Sequence, residues 1–569
     1  MINFKNEKEL DLNINKYKKI TNISSVLRIS IFILLVIFLI MLFSLQDYLL
    51  YGIISGVIFV LFIFIMLFTN KYYYYLEHLK IKKEIYNKHY KRRSHDLNTF
   101  FDTGSDFLES DDYKESDLDL FGSNSLFQYL NSAKTKKGRM RLSNLLKHGQ
   151  PRNIEYTNAI NELSNNEYSI DIEASIAGVS NQASKLDYNE ILSTINTKIK
   201  LNILSFLPLL SFIGMIIYTI LVFTINLNPF LIIPFILANF ILTRICNRCN
   251  AFNIKASLYL NLIDSYIDIS NIFIKNNYES KLLNEYKNDL IKYLPKLKSI
   301  KSIIDILSFR ANFVFLLLGN SLFISDLFII LLFNNKVKKN EDVNQAFDII
   351  SDIEAILSLS NIGIDNEIYC IPENCNNITF EDIYHPLVKD CISNSININE
   401  GIILTGSNMS GKTTFLRTLG IAYILYNAGG IVPAKSFAGP SLDIYTSLRA
   451  NDMLKEGVST FYAEILRMKK INEAIKKGPC LVLIDEIFKG TNLNERLEAS
   501  FKIIEKLNSY NAFFIISTHD EKITEANNII NYHFSEYYEN DKIKFDYKIK
   551  PGKSETTNAI YLLKMADII

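Results

Sequence analysis

Residues 406–414 have the types and spacing needed to hold the phosphates of a nucleotide. The run 406–413 reads GSNMSGKT and fits the phosphate-loop pattern G-x-x-x-x-G-K-[ST] at every position. Its glycines allow backbone N–H groups to turn towards phosphate, its lysine neutralises charge, and its last hydroxyl can bind Mg²⁺. A chance glycine-rich turn is the alternative. The predicted nucleotide contacts are Gly406, Ser407, Asn408, Met409, Ser410, Gly411, Lys412, Thr413 and Thr414.

Two later segments end in side chains suited to phosphate chemistry. The apolar run 480–484 is followed by Asp485 and Glu486, and the apolar run 512–516 leads to His519. A carboxylate at the first position can hold Mg²⁺, the next can polarise an attacking water, and an imidazole can sense the γ-phosphate. The predicted catalytic residues are Lys412, Glu486 and His519, and the predicted metal ligands are Thr413 and Asp485.

These side chains need strands that end at one edge of a sheet. A short apolar run, 402–404, precedes the phosphate loop, and a helical pattern over 414–426 follows it. The runs 480–484 and 512–516 are continuously apolar, as expected of strands buried on both faces of a parallel sheet. We therefore predict an α/β fold: a P-loop ATPase domain with a largely parallel sheet.

The motifs resemble those of the MutS family of DNA mismatch-repair ATPases. The resemblance is dense over about 380–569 and thinner over about 117–160, where it covers the start of the family's helical core domain. It implies an ATPase of the ABC/MutS type preceded by an α-helical core. The segments that carry it are 125–130, 135–139, 385–387, 406–414, 459–464, 485–492, 517–519 and 547–569.

The resemblance implies a role for each matching residue. Lys412 and Thr413 would bind phosphate and Mg²⁺, and Asp485 would be the metal carboxylate. Glu486 would be the base and His519 the γ-phosphate sensor. Ser459 matches the signature residue that faces the ATP of the opposite subunit, so ATP, Mg²⁺ and a homodimer are implied. Without the resemblance, Ser459 would be an ordinary N-cap of the helical pattern that follows it.

The chain departs from the family's pattern at both ends. We expect residues 1–116 to leave no room for the family's mismatch-reading domain and connector, and we expect no C-terminal dimerisation segment of the family's kind after 569. We therefore expect DNA as a candidate partner without direct reading of mismatches.

Two pairs of apolar runs have the length of membrane-spanning helices. The first pair is 29–45 and 48–68, and the second is 203–223 and 227–242. Lys and Arg flank both pairs and are absent from both tips, so the tips should face outside and the termini and ATPase should be cytoplasmic. We predict four spans in a cell membrane; the alternative is buried helices of a soluble protein.

A fifth apolar run, 313–333, contains polar residues and has basic residues at both ends. A single crossing there would place the ATPase outside the cell, so we interpret the run as a buried helix or a short re-entrant pair. The predicted organisation is a membrane hairpin (1–93), an acidic linker (94–118), a helical core (119–360) interrupted by a second hairpin (about 203–243), and the ATPase (361–569).

Other clusters are less informative. Cys246 and Cys249 form a C-x-x-C with no second pair or nearby His, so no zinc is expected. His385 is either a packing residue or a nucleotide contact. A basic cluster could bind nucleic-acid phosphates or form a solvated helix face, and the net charge of +1 favours neither. The cluster consists of Lys134, Lys136, Lys137, Arg139 and Arg141.

Two functional classes fit these features. One is a membrane-anchored MutS-like ATPase that hydrolyses ATP at a dimeric composite site and couples this to DNA binding or sensing of DNA structure. The other is a transporter or membrane-remodelling ATPase. The chain has no L-S-G-G-Q signature and few spans, which favours the first class. A nucleotide-gated membrane scaffold without DNA affinity is a third interpretation.

Overall fold

The computed structural model describes most of the chain in thirteen ranges. They are 7–44, 48–109, 112–181, 183–186, 201–225, 227–246, 253–308, 319–336, 343–407, 409–449, 460–488, 492–539 and 542–553.

The N-terminal region is a hairpin of two long helices, α1 (Glu7–Ser44) and α2 (Tyr48–Arg93). The two pack side by side beyond their apolar parts, where the Tyr17 and Tyr75 rings lie 4.7 Å apart. With 46 residues, α2 is about 69 Å long at about 1.5 Å per residue, more than twice a bilayer's hydrocarbon core of about 30 Å. It therefore extends well beyond any membrane that its apolar part could cross.

The second apolar pair differs from the prediction in one helix. The pair forms α8 (Leu207–Ile225) and α9 (Ile233–Cys246). Within the described ranges, three helices are long and apolar enough to span a bilayer, at 8–41, 50–93 and 203–222, not the predicted four. The fourth run is shorter because Pro229 begins a tight 3-10 turn, Pro229–Ile232, and only 14 residues remain for α9.

The helices between the N-terminal hairpin and the C-terminal domain differ widely in length. Polar caps begin several of them: Ser125 accepts from the Gln128 N–H, and Thr135 accepts from the Gly138 N–H. These helices are α3 (Tyr113–Asp117), α4 (Leu126–Leu130), α5 (Lys136–His148), α6 (Ile154–Asn165), α7 (Tyr168–Ala177), α10 (Asn253–Lys275), α11 (Lys281–Ser308), α12 (Asn320–Phe323), α13 (Ser325–Lys336) and α14 (Val343–Asp365).

The central helix of this region is α14, which is buried at every residue from 353 to 365. Helices α5 and α6 pack along it, and it leads directly into the C-terminal domain. Part of the run 313–333 lies outside the described residues; the rest forms α12 and α13, separated at Ile324. Asn239 of α9 donates to the Ser321 carbonyl, which ties the second apolar pair to α12.

The C-terminal domain contains two sheets. The described strands of the larger sheet run in the order β10-β9-β4-β8-β7-β6, with β4, β6, β7, β8 and β9 parallel and β10 antiparallel to β9. Its strands are β4 (Gly401–Thr405), β6 (Asp443–Ser447), β7 (Cys480–Asp485), β8 (Phe513–Ser517), β9 (Ile529–Glu539) and β10 (Lys542–Pro551). The smaller sheet, in the order β1-β5-β2-β3, contains β1 (Glu373–Asn374), β2 (Ile378–Ile383), β3 (Asn394–Ile398) and β5 (Ser436–Gly439).

Among the described residues, three helices connect the strands of the larger sheet: α15 (Lys412–Asn427), α16 (Thr460–Ile475) and α17 (Leu493–Ser509). Successive side chains of each strand point to opposite faces of the sheet. Both faces of the sheet are covered by buried side chains. Ile402 and Leu404 of β4 join the core shared with the helical region, whereas Ile403 joins a second core on the opposite face. This parallel arrangement brings the carboxyl ends of β4, β7 and β8 to one edge.

The acidic segment 94–118 was predicted to be a linker, and its last part is also buried and packs against the C-terminal domain. Glu115 and Asp117 are 1% and 0% exposed, respectively. Asp117 contacts the C-terminal domain directly, so this segment joins the two regions by packing as well as along the chain.

Candidate nucleotide site

The predicted phosphate loop joins the buried strand β4 to helix α15. Gly406 and Gly411 have φ values of 141° and 108°, which favour glycine. A Cβ on Gly406 would lie 2.7 Å from the Phe534 carbonyl oxygen, so the loop leaves no room for a side chain there. The buried Lys412 ammonium donates to the carbonyls of Gly406 and Ser407 at 2.7 and 2.8 Å, which holds it over the loop.

Thr413 and Asp485 meet although they are 72 residues apart. The Thr413 hydroxyl donates to Asp485 Oδ2 at 2.7 Å, and the Ser517 hydroxyl donates to the other carboxylate oxygen. Hydroxyl and carboxylate oxygens are the donors that Mg²⁺ prefers, usually with only one or two carboxylates from the protein. Where residues are described, no cluster of three or more His, Cys, Asp or Glu could hold a metal by itself. The pair thus fits a Mg²⁺ ion that is shared with phosphate oxygens.

Glu486 and His519 lie next to this pair. His519 Nε2 is 3.3 Å from Glu486 Oε1 and 3.5 Å from Lys412 Nζ. Burial and the Lys412 charge lower the pKa of His519, and they outweigh the opposing effect of Glu486. The imidazole is therefore neutral at pH 7 and can either donate or accept a hydrogen bond.

A second ion pair supports the turn that carries His519. The Arg496 guanidinium of α17 binds Asp520 with two hydrogen bonds, of 2.7 and 2.8 Å. Asn492 caps the same helix by accepting from the Glu495 N–H. The start of α17 is thereby tied to the end of β8, where His519 lies.

A cavity of about 600 Å³ opens beside the phosphate loop, and sequence reasoning missed part of its lining. Ile392, Asn394, Phe534 and Tyr547 line it together with the predicted residues. The Tyr547 side chain packs against Gly411. Asn394 holds the backbone there, because its amide donates to the Tyr547 carbonyl and accepts from the Ile549 N–H. The only sequence signal for Tyr547 was its place in the closing segment 547–569.

Several predicted residues lie away from this cluster or outside the described ranges. Asn408 and Ser459 are outside them, as is Cys249. Met409 is 86% exposed, although it lines the cavity. His385 is buried and does not line the cavity; its burial, with the nearby Arg417 charge, lowers its pKa to about 4.

The basic cluster of the helical region is largely paired with acidic or amide groups. Arg139 binds Asp102 with two bonds of 2.7 Å, and Arg141 binds Asp352. Lys137 pairs with Asp348, and Lys134 donates to the Asn181 side chain. These pairs favour the interpretation as a helix face over a phosphate-binding surface.

The strand, phosphate loop and helix, with the Thr413–Asp485 pair at the sheet edge, define a domain of the P-loop ATPase type. The family profile described as MutS domain V matches residues 402–568. Over these residues the chain contains a domain similar to MutS domain V.

Individual relatives also match part of the chain, at comparable levels of identity. Over 232 residues the chain is 30% identical to the DNA mismatch repair protein MutS of Persephonella marina, covering 38% of this chain and 26% of that protein. It is 27% identical over 242 residues to the protein of that name from Natronomonas pharaonis, covering 40% and 28%. It is 31% identical over 208 residues to that of Leptospira interrogans, covering 34% and 24%. The match therefore spans only 24–28% of the length of these relatives.

Proposed function

We propose that this chain is a membrane-anchored ATPase that hydrolyses ATP with Mg²⁺ at the sheet edge of its C-terminal domain. The main support is the 2.7 Å hydrogen bond from the Thr413 hydroxyl to the Asp485 carboxylate. Lys412, Glu486 and His519 lie beside this pair. Loops from three parallel strands contribute these side chains, which is where α/β sheets bind ligands.

Each side chain has a role that its position supports. Lys412 neutralises β- and γ-phosphate charge, while Thr413 and Asp485 hold the metal, which when bound offsets charge on the same phosphates. Glu486 orients and polarises the attacking water, and the neutral His519 ring contacts the γ-phosphate. Tyr547 provides an aromatic face for the base at the cavity's edge. We propose the remaining loop residues, including Asn408 and Thr414, as phosphate contacts.

The decisive experiment separates binding from turnover in the purified protein. Lys412→Ala should abolish ATP binding and hydrolysis because the phosphate charge loses its counter-charge. Glu486→Gln should bind ATP but not turn it over, because the shape remains and the water-orienting carboxylate is lost. Lys435→Ala is the matched control, since Lys435 lies in the same domain, is exposed and pairs with Glu381. ATP binding by Lys412→Ala equal to the wild type, or normal turnover by Glu486→Gln, would refute the site.

We further propose that two subunits complete each site, with Ser459 of one facing the nucleotide of the other. The resemblance of residues 459–464 to the family's signature segment supports this. The proposed domain organisation remains the one predicted from the sequence: 1–93, 94–118, 119–360 and 361–569.

We propose DNA as the ligand whose binding responds to ATP, because the most similar part of the chain matches proteins named for DNA mismatch repair. Because the basic cluster is largely paired, we propose that the chain contacts DNA through other residues. Binding of the detergent-purified protein to duplex, mismatched and branched DNA, measured at several salt concentrations, tests this. A salt-dependent affinity that changes with ATP supports it, and no binding at low salt contradicts it.

A second candidate function is ATP-driven transport across the membrane or remodelling of it. It is favoured by helix α2, which runs without a break from its apolar part to charged residues buried against α7 and α14. Nucleotide-dependent changes in the spacing of spin labels on the two hairpins in liposomes, without any DNA, would support this candidate over the first.

A further inference from the structure

Asp117, at the end of the short helix α3, is a buried carboxylate bound by the ATPase domain. It is 0% exposed. It accepts from the Thr446 hydroxyl at 2.8 Å and from the backbone N–H groups of Leu448 and Arg449 at 3.0 and 3.1 Å. The Arg467 guanidinium of α16 donates to both carboxylate oxygens at 3.3 Å. Four groups of the ATPase domain thus converge on one side chain from the segment before the helical region.

The buried Arg467 side chain packs against helix α3 and binds its carboxylate. It is 3% exposed, and its guanidinium lies 4.4 Å from the centre of the Tyr113 ring, one helical turn before Asp117. Among the described residues, its Nη2 atom has no hydrogen-bond partner. Helix α3 therefore supplies both the counter-charge and the aromatic face for this buried cation.

Asp119, two residues further on, binds two more arginines. Arg449 Nη2 lies 2.7 and 2.6 Å from its carboxylate oxygens, and Arg417 Nη1 lies 3.2 Å away. Arg417 lies on α15 one helical turn after Thr413, so it shares the phosphate-loop helix and its face. One pair of carboxylates thereby contacts both the end of β6 and the phosphate-loop helix.

The elements held in this way surround the candidate site. Strand β6 pairs in parallel with β7, which ends in Asp485. Arg449 and Arg467 flank the segment 450–459 along the chain, and this segment ends at Ser459. A shift of the α3 carboxylates relative to the domain would move β6, α15 and α16 together.

We propose that Asp117 and Asp119 are positioning residues for ATP hydrolysis: they transmit the placement of the helical region to the phosphate-loop helix and to the flanks of 450–459. The inference rests on the proposed ATPase function. It concerns turnover rather than nucleotide affinity, because neither carboxylate lines the cavity.

The test measures kcat, KM and nucleotide affinity for Asp117→Asn and Asp119→Asn in the full chain. In each variant kcat should fall by about tenfold or more, because a displacement of about 1 Å can cost about a hundredfold in rate. Nucleotide affinity should stay within about twofold, since the phosphate loop itself is intact. Asp106→Asn is the matched control, because Asp106 belongs to the same acidic segment but binds Arg139 of the helical region. Its kcat should equal that of the wild type.

Two further variants keep the outcome clear if Asp117→Asn fails to fold. Asp119 has a side chain that is 35% exposed, so its substitution is tolerated more easily. Asp119→Arg should lose turnover, and combining it with Arg449→Asp should restore part of it by reversing the ion pair. Unchanged kcat in folded Asp119→Asn, or no rescue in the double variant, overturns the inference. A wild-type protein without ATPase activity would instead refute the proposed function.

Discussion

Glu486 has a backbone conformation that few non-glycine residues adopt. Its φ is 64°, and its N–H donates to the Ser517 carbonyl of the neighbouring strand at 2.9 Å. Such conformations cost about 1–3 kcal/mol and persist where the surroundings impose them. Here the bond to β8 turns the chain at the end of β7, so that the Glu486 carboxylate faces His519. The local strain therefore serves the geometry proposed for the attacking water.

At the same scale, Tyr547 is expected to contribute to nucleotide affinity. Tyr547→Ala should weaken ATP binding by about five- to tenfold, because an aromatic contact is worth roughly 0.5–1.5 kcal/mol. Turnover at saturating ATP should not change, since the proposed role of Tyr547 is to contact the base and not the attacking water. Titration of ATP with kcat and KM measurements checks this. Tyr547→Phe should resemble the wild type, and Tyr537→Ala, an exposed tyrosine of β9, is the control. Equal affinity in Tyr547→Ala and Tyr537→Ala would contradict the assignment.

At the scale of elements, α14 carries a buried glutamate that meets the start of α5. Glu354 is 0% exposed and accepts from the backbone N–H groups of Lys134 and Thr135, both at 3.0 Å. Burial raises its pKa to about 7, although these bonds and that of the Thr135 hydroxyl act in the opposite direction. The packing of α5 on α14 therefore includes a carboxyl that titrates near neutrality.

The stability of this packing should depend on pH. Because the pKa of Glu354 is higher in the folded protein, its contribution is complete below about 4.5 and is lost as the pH rises through about 7. The loss is on the order of 3 kcal/mol. Glu354→Gln, a neutral isostere, should remove this slope in the free energy of unfolding. Denaturant titrations from pH 5 to pH 8 check it, and parallel curves for the two proteins would contradict it.

Helix α2 ends in a buried ionic cluster with α7 and α14. His89 lies 2.9 Å from Glu173 and 2.8 Å from Asp365. Arg92, 0% exposed, donates to the Tyr129 carbonyl at 2.7 Å and lies 3.5 Å from Asp365. A cluster of this kind fixes the end of the long helix, because each buried charge depends on its partners.

Removal of one member should therefore destabilise the junction strongly. Arg92→Ala should lower the free energy of unfolding by about 3–5 kcal/mol, since the buried Tyr129 carbonyl loses its donor and the buried Asp365 loses one of its cations. Lys91→Ala, one position earlier, should change it by no more than about 0.5 kcal/mol, because that side chain is only partly buried and makes a solvent-exposed bond to Thr99. Thermal unfolding of the detergent-solubilised variants compares them. Similar values for both would show that the cluster does not anchor α2.

For the whole molecule, the distribution of charge predicts how the chain would lie in a membrane. A single cysteine at Asp47, in a background without the six native cysteines, should react with an impermeant thiol reagent on intact cells. Cysteines at Ser94 and Lys477 should react only after permeabilisation. A cysteine at Asn226 should also react on intact cells if α8 crosses and the shorter α9 returns. Labelling at Ser94 but not at Asp47 on intact cells would invert the topology.

The proposed composite site predicts complementation between subunits. Ser459→Arg and Lys412→Ala should each abolish hydrolysis, because each damages both sites of a homodimer. Co-reconstitution of the two variants in liposomes should restore partial activity, since one site of the mixed dimer combines an intact phosphate loop with an intact Ser459. A mixture that stays inactive while both variants insert and fold would favour a monomeric site.

The local sequence was enough to predict the residues of the candidate site, and the tertiary structure determined what surrounds them. A phosphate loop, a strand ending in Asp485-Glu486 and a strand ending in His519 could be predicted because each is a contiguous pattern whose geometry depends on neighbouring residues. The lengths of the apolar helices could also be predicted from the sequence, except where Pro229 shortened the fourth helix. Asp117 could not be predicted, because its partners lie about 330 residues away and its charge alone is typical of a linker. The position of Tyr547 and the cluster at Arg92 could not be predicted either. Contacts between residues that are distant in the sequence decide which charged or aromatic side chains are buried, and the local sequence pattern does not contain this information.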